Sequence, residues 1–243
     1  MVILFFTIFI LKFQLILMKK FQLIISRHGE SIWNKSNRFT GWSNISLTSN
    51  GRYQSYQKAL ILRNNNLIPN RIITSTLIRS IDTAEIIRSE LNIQSNIEKS
   101  WKLNERHYGM LEGLNRNDAY NIYTKRKIQS IREKFYYMPY IINNEIVIDK
   151  NRLINDNIQT PIGESNNMVY KRVYPYWENE IKKSLEQNKT ILIISHKNAI
   201  RCLMKIIENL SIAEFDKTNI ENSDLLLYKL NENFKMTGKF NLY

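Results

Sequence analysis

Two short stretches carry residue types that could do chemistry together: Arg27-His28-Gly29 and Ser195-His196-Lys197. A neutral imidazole is a nucleophile for a phosphoryl group. A guanidinium pairs bidentately with phosphate oxygens. The chain has three histidines, His28, His107 and His196, and two of them end its two clearest β-favouring runs. Those runs are Phe21-Gln22-Leu23-Ile24-Ile25-Ser26 and Thr190-Ile191-Leu192-Ile193-Ile194. Apolar runs of this length read as buried strands. Open α/β sheets bind ligands at the C-terminal edges of their strands. One histidine in such a place is ordinarily structural. Two in equivalent places, on neighbouring parallel strands, would share one crevice. Arg27 beside His28 would be a buried cation that needs an anion. Arg79 falls near the first turn of a later helix. His28 is therefore expected to be the nucleophile of a phosphoryl transfer. No Gly-rich phosphate loop or dinucleotide fingerprint is present, and no His/Cys/Asp set has metal-ligand spacing, so neither nucleotide nor metal is expected.

The elements that must position these groups follow in order. After the first histidine, Arg38 to Trp42 reads as a loop. Leu47-Thr48-Ser49-Asn50-Gly51 offers N-cap residues for a helix over about 51–63, which Asn64-Asn65-Asn66 breaks. Arg71 to Ser75 reads as a strand, with Ser75-Thr76 capping the helix that carries Arg79, Ala84, Ile87 and Leu91. The stretch 101–161 is less regular. A long helix is expected from about Ser165 to Gln187, then the strand ending at His196, a helix bearing Cys202, and a last strand over 225–230. Alternating strands and helices make a parallel sheet covered on both faces. The expected fold is a three-layer α/β/α sandwich with a mostly parallel central sheet.

With 243 residues, 43% apolar and 23% charged, the chain can build one sizeable core. Its net charge of +13 could serve nucleic acid, a membrane surface or a small polyanion. No long basic run or basic-aromatic repeat favours nucleic acid. Cys202 is the single cysteine, so no internal disulfide can form and a reducing compartment is expected. Its helical spacing with Ala199, Leu203, Ile206 and Leu210 places it in the core. Residues 1–17 are strongly apolar, short for a membrane span, and lack the flanks of a secretory signal. They are read as an extension outside the native protein, with translation starting at Met18 and one domain over 18–243; a membrane anchor is the alternative. Without an anchor, no membrane partner and a cytoplasmic location are expected.

Arg27-His28-Gly29-Glu30-Ser31-x-Trp33-Asn34, Asn37-Arg38-Phe39-Thr40-Gly41-Trp42 and Leu47-Thr48-x-x-Gly51 resemble the cofactor-dependent phosphoglycerate mutases of the histidine phosphatase superfamily. The resemblance continues through Ser75-x-Leu77-x-Arg79-x-Ile81-x-Thr83 and Trp101-Lys102-Leu103-Asn104-Glu105-Arg106-His107-Tyr108-Gly109. It returns at Leu111-x-Gly113-Leu114-Asn115, Pro175-Tyr176-Trp177, Ser195-His196-x-Asn198 and Glu232-Asn233-Phe234-Lys235. It implies a phosphoglycerate mutase-like fold and an isomerase of glycolysis and gluconeogenesis. Such an enzyme interconverts 3- and 2-phosphoglycerate through a phosphohistidine and a 2,3-bisphosphoglycerate intermediate, primed by 2,3-bisphosphoglycerate, without metal. His28 would carry the phosphoryl group, His196 would face it, and Glu105 would be the general acid and base. Arg27 and Arg79 would neutralise the phosphoryl oxygens, with Ser31, Asn34, Thr40 and Gly41 adding donors. Arg106, His107, Tyr108, Arg116, Arg132, Lys197 and Asn198 would bind the rest of the substrate. The resemblance also implies a homodimer or homotetramer, phosphoglycerates as partners and no nucleic acid. The two histidines are expected to differ in pKa, His28 neutral and His196 cationic.

Four features depart from the family pattern. Lys197 stands where a glycine is usual, Glu133 follows Arg132 in place of a second arginine, and Arg116 replaces a lysine. Residues 220–224 replace a Pro- and Gly-containing segment. A histidine-type phosphatase or bisphosphoglycerate-handling relative is the alternative reading; a non-catalytic basic binding protein on the same scaffold is the third.

Overall fold

The computed structural model describes residues 21–142, 145–148, 163–188 and 190–243. In chain order the elements are β1 (Phe21–Arg27), α1 (Ile32–Lys35), α2 (Ser49–Asn64), β2 (Arg71–Thr74), α3 (Ile78–Glu90) and β3 (Glu98–Lys99). Then come α4 (Arg116–Tyr123), α5 (Lys125–Glu133), β4 (Tyr137–Ile142), β5 (Glu145–Ile148), α6 (Asn166–Tyr176) and α7 (Lys182–Asn188). The last are β6 (Thr190–Ser195), α8 (Lys197–Ile207), α9 (Ile212–Lys217), β7 (Leu225–Leu230) and β8 (Met236–Asn241). The apolar extension and the start at Met18 lie outside the described residues. Among the described residues, no helix is long and apolar enough to cross a membrane.

The main sheet has the order β3-β2-β6-β1-β7-β8. The first four strands are parallel; β7 is antiparallel to β1, and β8 to β7. A separate β4-β5 hairpin stands apart from it. Side chains alternate between the two faces, as the period of two requires. Leu23, Ile25, Ile191 and Ile193 pack on one side with Val169 and Val173 of α6 and Ala199 and Leu203 of α8. Ile24, Leu192 and Ile194 pack on the other with Ala59 and Leu62 of α2 and Ala84 and Ile87 of α3. This is the three-layer sandwich expected, with two antiparallel strands added at one edge. Burying each such side chain contributes roughly 1.5–3 kcal/mol.

Register matters for the site. β1 pairs with β6 so that Arg27 lies opposite Ser195. The His28 N–H then donates to the Ser195 carbonyl at 3.0 Å. From this point the chain leaves β1 toward the α2 face and leaves β6 toward the α8 face. Two adjacent parallel strands whose exits diverge open a crevice at their C-terminal ends.

Several boundaries differ from expectation for local reasons. The helix expected over 165–187 is broken into α6 and α7 by a π-helical turn at Trp177–Ile181. Pro175 has no N–H to give the preceding turn, and the wider turn follows it. The cap of α3 is Leu77 rather than Ser75-Thr76; Ser75 instead accepts the Leu77 N–H at 3.1 Å. β8 was not expected, because it is polar and exposed along most of its length. It is held by pairing with β7 rather than by burial.

Candidate active site

The backbone after β1 is set by two glycines. A Cβ on Gly29 would lie 2.2 Å from the Gly51 carbonyl oxygen, and one on Gly51 would lie 2.1 Å from the Glu30 carbonyl oxygen. Only bare backbone fits where the first turn of α2 meets this loop. The Gly29 N–H donates to Thr83 Oγ1 of α3 at 3.0 Å. His28 is thereby held between β6, α2 and α3.

The His28 ring is buried, with Nδ1 2.7 Å from the Gly29 carbonyl oxygen. A carbonyl only accepts, so Nδ1 carries the proton and Nε2 presents a lone pair. Arg79 Nε lies 3.3 Å from that Nε2. Arg79 is itself fixed by donating to the carbonyls of Ser43 and Gly41, each at 2.8 Å. Burial, then Arg79 and Arg27, push the His28 pKa well below its ordinary value. The ring is neutral at physiological pH, as a nucleophile must be.

His196 caps α8, and its ring centroid lies 4.9 Å from that of His28. Its Nε2 is 2.7 Å from Ser75 Oγ, while its buried Nδ1 has no partner among the described residues. The expected contrast between a neutral and a cationic histidine is not found. Burial and then Arg79 push the His196 pKa well down too. A neutral ring still serves as a donor: when Ser75 gives its hydroxyl proton to Nε2, Nδ1 carries the N–H.

Glu105 sits opposite. Its Oε1 accepts the Arg106 N–H at 2.8 Å and the Asn198 N–H, in the first turn of α8, at 3.2 Å. The Glu105 carbonyl is held by Trp42 Nε1 at 2.6 Å and Arg172 Nη2 at 3.0 Å. Arg172 also forms a buried ion pair with Glu164 at 2.8 Å.

The cavity at the sheet edge is lined by Arg27, His28, Asn34, Thr40, Gly41, Arg79, Glu105, Tyr108, Arg116, Arg132, Lys197 and Asn198, together with Phe39 and Glu133. Five cationic side chains thus meet two carboxylates. Lys197 and Glu133, both departures from the family pattern, reach the wall. Burial, then Arg27 and Arg132, lower the Lys197 pKa to about 8. Asn198 donates to the Tyr108 hydroxyl at 3.0 Å and accepts from Arg201 at 3.1 Å.

Four expected site residues do not line this cavity. Ser31 caps α1 in a reciprocal box with Asn34. Arg106 spends its guanidinium on the carbonyls of Glu164, Ile131 and Tyr137. His107 accepts the Gly109 N–H on Nδ1 at 2.9 Å and lies 3.5 Å from Glu112. His196 stands beside His28 rather than on the wall.

Four side chains around the site went unsingled in the sequence: Lys58, Arg172, Arg201 and Asn222. Lys58 had a signal, since Gly51, Ser55, Lys58, Ala59 and Leu62 fall at helical spacing and are the buried face of α2. Asn222 had none. It donates to the His28 carbonyl at 2.7 Å, from the segment 220–224 that replaces the Pro- and Gly-containing one.

Five buried side-chain N and O atoms have no partner among the described residues; one is Asn166 Oδ1, at the start of α6. Arg27 Nε, Thr40 Oγ1, Arg116 Nε and His196 Nδ1 are buried and unpaired among the described residues. Each such group costs about 1–3 kcal/mol. All four can donate hydrogen bonds; three belong to residues that line the cavity and the fourth to His196 beside His28. The natural acceptor is a polyanion, and an imidazole lone pair among guanidiniums is the equipment for moving a phosphoryl group.

A buried imidazole pair at the C-terminal edge of the parallel strands, with Arg79 beside it, is an arrangement suited to holding and transferring a phosphoryl group. The pattern of the histidine phosphatase superfamily (branch 1) matches residues 23–141 and 141–241, and the chain belongs to that family. Curated relatives are similar over most of their length. The 2,3-bisphosphoglycerate-dependent phosphoglycerate mutase of Blochmanniella pennsylvanica (strain BPEN) is 39% identical over 85% of this chain and 91% of its own. That of Bifidobacterium longum (strain DJO10A) is 37% identical over 86% of each. Among solved structures, the mycobacterial glucosyl-3-phosphoglycerate phosphatase shares the fold with a TM-score of 0.70. It is 18% identical, and the match covers 91% of this chain and 97% of that one.

Proposed function

We propose that this chain interconverts 3-phosphoglycerate and 2-phosphoglycerate, as an isomerase of glycolysis and gluconeogenesis that works through a phosphohistidine at His28. The observation that carries the chemistry is one cavity holding the Nε2 lone pair of His28, the Glu105 carboxylate and five cations. The choice of phosphoglycerate rests on the relatives named as mutases at 34–39% identity.

The residues fit 2,3-bisphosphoglycerate, because the four orphaned donors and the cationic wall ask for more negative charge than one phosphate brings. When bound, that molecule supplies the phosphoryl group that primes His28. Nε2 of His28 attacks phosphorus; the N–P bond forms as the O–P bond breaks. Arg27, Arg79 and the Nδ1 N–H of His196 take up charge on the equatorial oxygens. Glu105 returns a proton to the departing oxygen and later takes one from the hydroxyl that attacks the phosphohistidine. Arg116, Arg132 and Lys197 hold the carboxylate and the second phosphate. Burial of both imidazoles keeps water from the phosphohistidine. Phosphoglycerates are the small-molecule partners, the cytoplasm is the site of action, and the assembly implied by the resemblance is a homodimer or homotetramer.

A coupled assay tests this. Conversion of 3- to 2-phosphoglycerate should depend on added bisphosphoglycerate and far outrun phosphate release. Phosphate release without isomerisation would make the protein a phosphatase. His28→Ala should abolish labelling of the protein by radioactive bisphosphoglycerate; retained labelling would remove His28 from the role.

A further inference from the structure

Lys58 is 1% exposed on the buried face of α2, and its Nζ donates to the Arg27 carbonyl oxygen at 2.5 Å. That carbonyl belongs to the peptide bond carrying His28. It also accepts the Ser26 hydroxyl at 3.0 Å. Lys58 makes no ion pair within 4.0 Å among the described residues. A buried ammonium without a carboxylate is expensive, and an apolar side chain of similar length would suit the Ala59 and Leu62 face better. A cost accepted directly beneath the candidate nucleophile points to function.

We propose that Lys58 is a positioning residue for the nucleophile, clamping from beneath the sheet edge the peptide that carries His28. Three successive carbonyls around the ring are then fixed: Arg27 by Lys58, His28 by Asn222, and Gly29 by the ring's own Nδ1–H. With those held, the imidazole has one orientation from which Nε2 can attack. The clamp also acts through charge. The groups facing Lys58 are Arg27 of β1 and Asp224 before β7; burial and Arg27 bring its pKa down to about 7, against a smaller pull from Asp224. Those acting on His28 are Arg79, Arg27 and Lys58, all cations that oppose its protonation. Where it is protonated, Lys58 adds a small opposition to protonation of the imidazole while it holds the backbone. This inference rests on the phosphoryl-transfer reading above.

The test is Lys58→Met in the full chain, with wild type as control. Displacing a reacting atom by about 1 Å can cost on the order of a hundredfold in rate. The expected result is a fall of about ten- to a hundredfold in the rate of His28 phosphorylation by 2,3-bisphosphoglycerate, read by rapid quench, with KM nearly unchanged. The acid limb of kcat/KM should move to higher pH, because one cation opposing His28 protonation is gone. Lys58→Arg should restore part of the rate. A folded Lys58→Met enzyme with wild-type phosphorylation rate and an unmoved acid limb would overturn the proposal. Should Lys58→Met not fold, Lys58→Gln carries the test: its amide is one atom shorter than the lysine and uncharged, and a wild-type phosphorylation rate with an unmoved limb there overturns the proposal equally. A wild type that forms no phosphohistidine would instead overturn the parent reading.

Discussion

Residue chemistry at this site is governed by burial. His28 and His196 are both almost wholly inaccessible and both surrounded by cations, so each resists protonation in the folded state. The consequence for stability has a definite sign. Below the ordinary value of 6.5 the unfolded chain takes up protons that the folded chain refuses. Stability is therefore complete above 6.5 and declines as pH falls from there toward the depressed folded values. Thermal unfolding followed by circular dichroism should show the loss. Replacing both rings, as His28→Asn with His196→Asn, should flatten the slope between about pH 6.5 and 5. An unchanged slope would mean that other groups carry the acid sensitivity. Cys202 shows the same physics without function. It is buried on α8, and burial pushes its thiol up to about 12, which makes it inert.

At the scale of elements, the site depends on how closely α2 can approach the loop after β1. Gly29 and Gly51 make that approach by having no side chains. Thr48 caps α2 by accepting the Gly51 N–H at 2.9 Å and donates to Glu30 Oε1 at 2.7 Å, so cap and loop are tied together. Gly51→Ala would force a methyl against backbone that cannot rotate away. The expected cost is about 1–3 kcal/mol in urea unfolding. It should be accompanied by loss of His28 phosphorylation, because the same shift moves Gly29. A Gly51→Ala protein with unaltered stability would show that α2 can slide. The segment 220–224 acts from the other side. The Ile220 carbonyl accepts Arg27 Nη1 at 3.0 Å, and the Asp224 carbonyl, 3.2 Å from Ser26 Oγ, shares that hydroxyl's one proton with the Arg27 carbonyl. A segment that looked like a loss relative to the family pattern thus supports the loop after β1 through its backbone and Asn222.

Over the whole molecule, the surplus of +13 has a local use. Arg27, Arg79, Arg116, Arg132 and Lys197 converge on one cavity, which raises the local concentration of a small polyanion. Salt screens this attraction, with a Debye length falling from about 10 Å at 0.1 M to about 3 Å at 1 M. KM for phosphoglycerate should rise severalfold across that range while kcat changes little. A KM insensitive to salt would mean that hydrogen-bond geometry, rather than field, sets affinity. Ligand binding should also stabilise the fold: 2,3-bisphosphoglycerate at one hundred times its Kd adds about 2.7 kcal/mol. A rise in melting temperature on titration would register it.

Some of this protein was determined by local sequence and some was not. The apolar runs before His28 and His196 make strands wherever they find partners, and the residues at their ends must then sit at a sheet edge. Cap residues marked α2, helical spacing marked α3 and α8, and residue type restricted the chemistry to imidazole, guanidinium and carboxylate. What a buried polar group pairs with is a different matter, because its partners come from distant parts of the chain. Arg106 and Arg116 look alike in sequence, yet one is consumed by three carbonyls and the other keeps an unpaired Nε at the cavity. The lowered pKa of His196 depends likewise on burial beside Arg79, and the clamp from Lys58 on the packing of α2 under the end of β1. Hydrogen bonds and desolvation are settled only when the layers close, so tertiary packing alone decided which cations reach the cavity and which are spent wholly on the backbone.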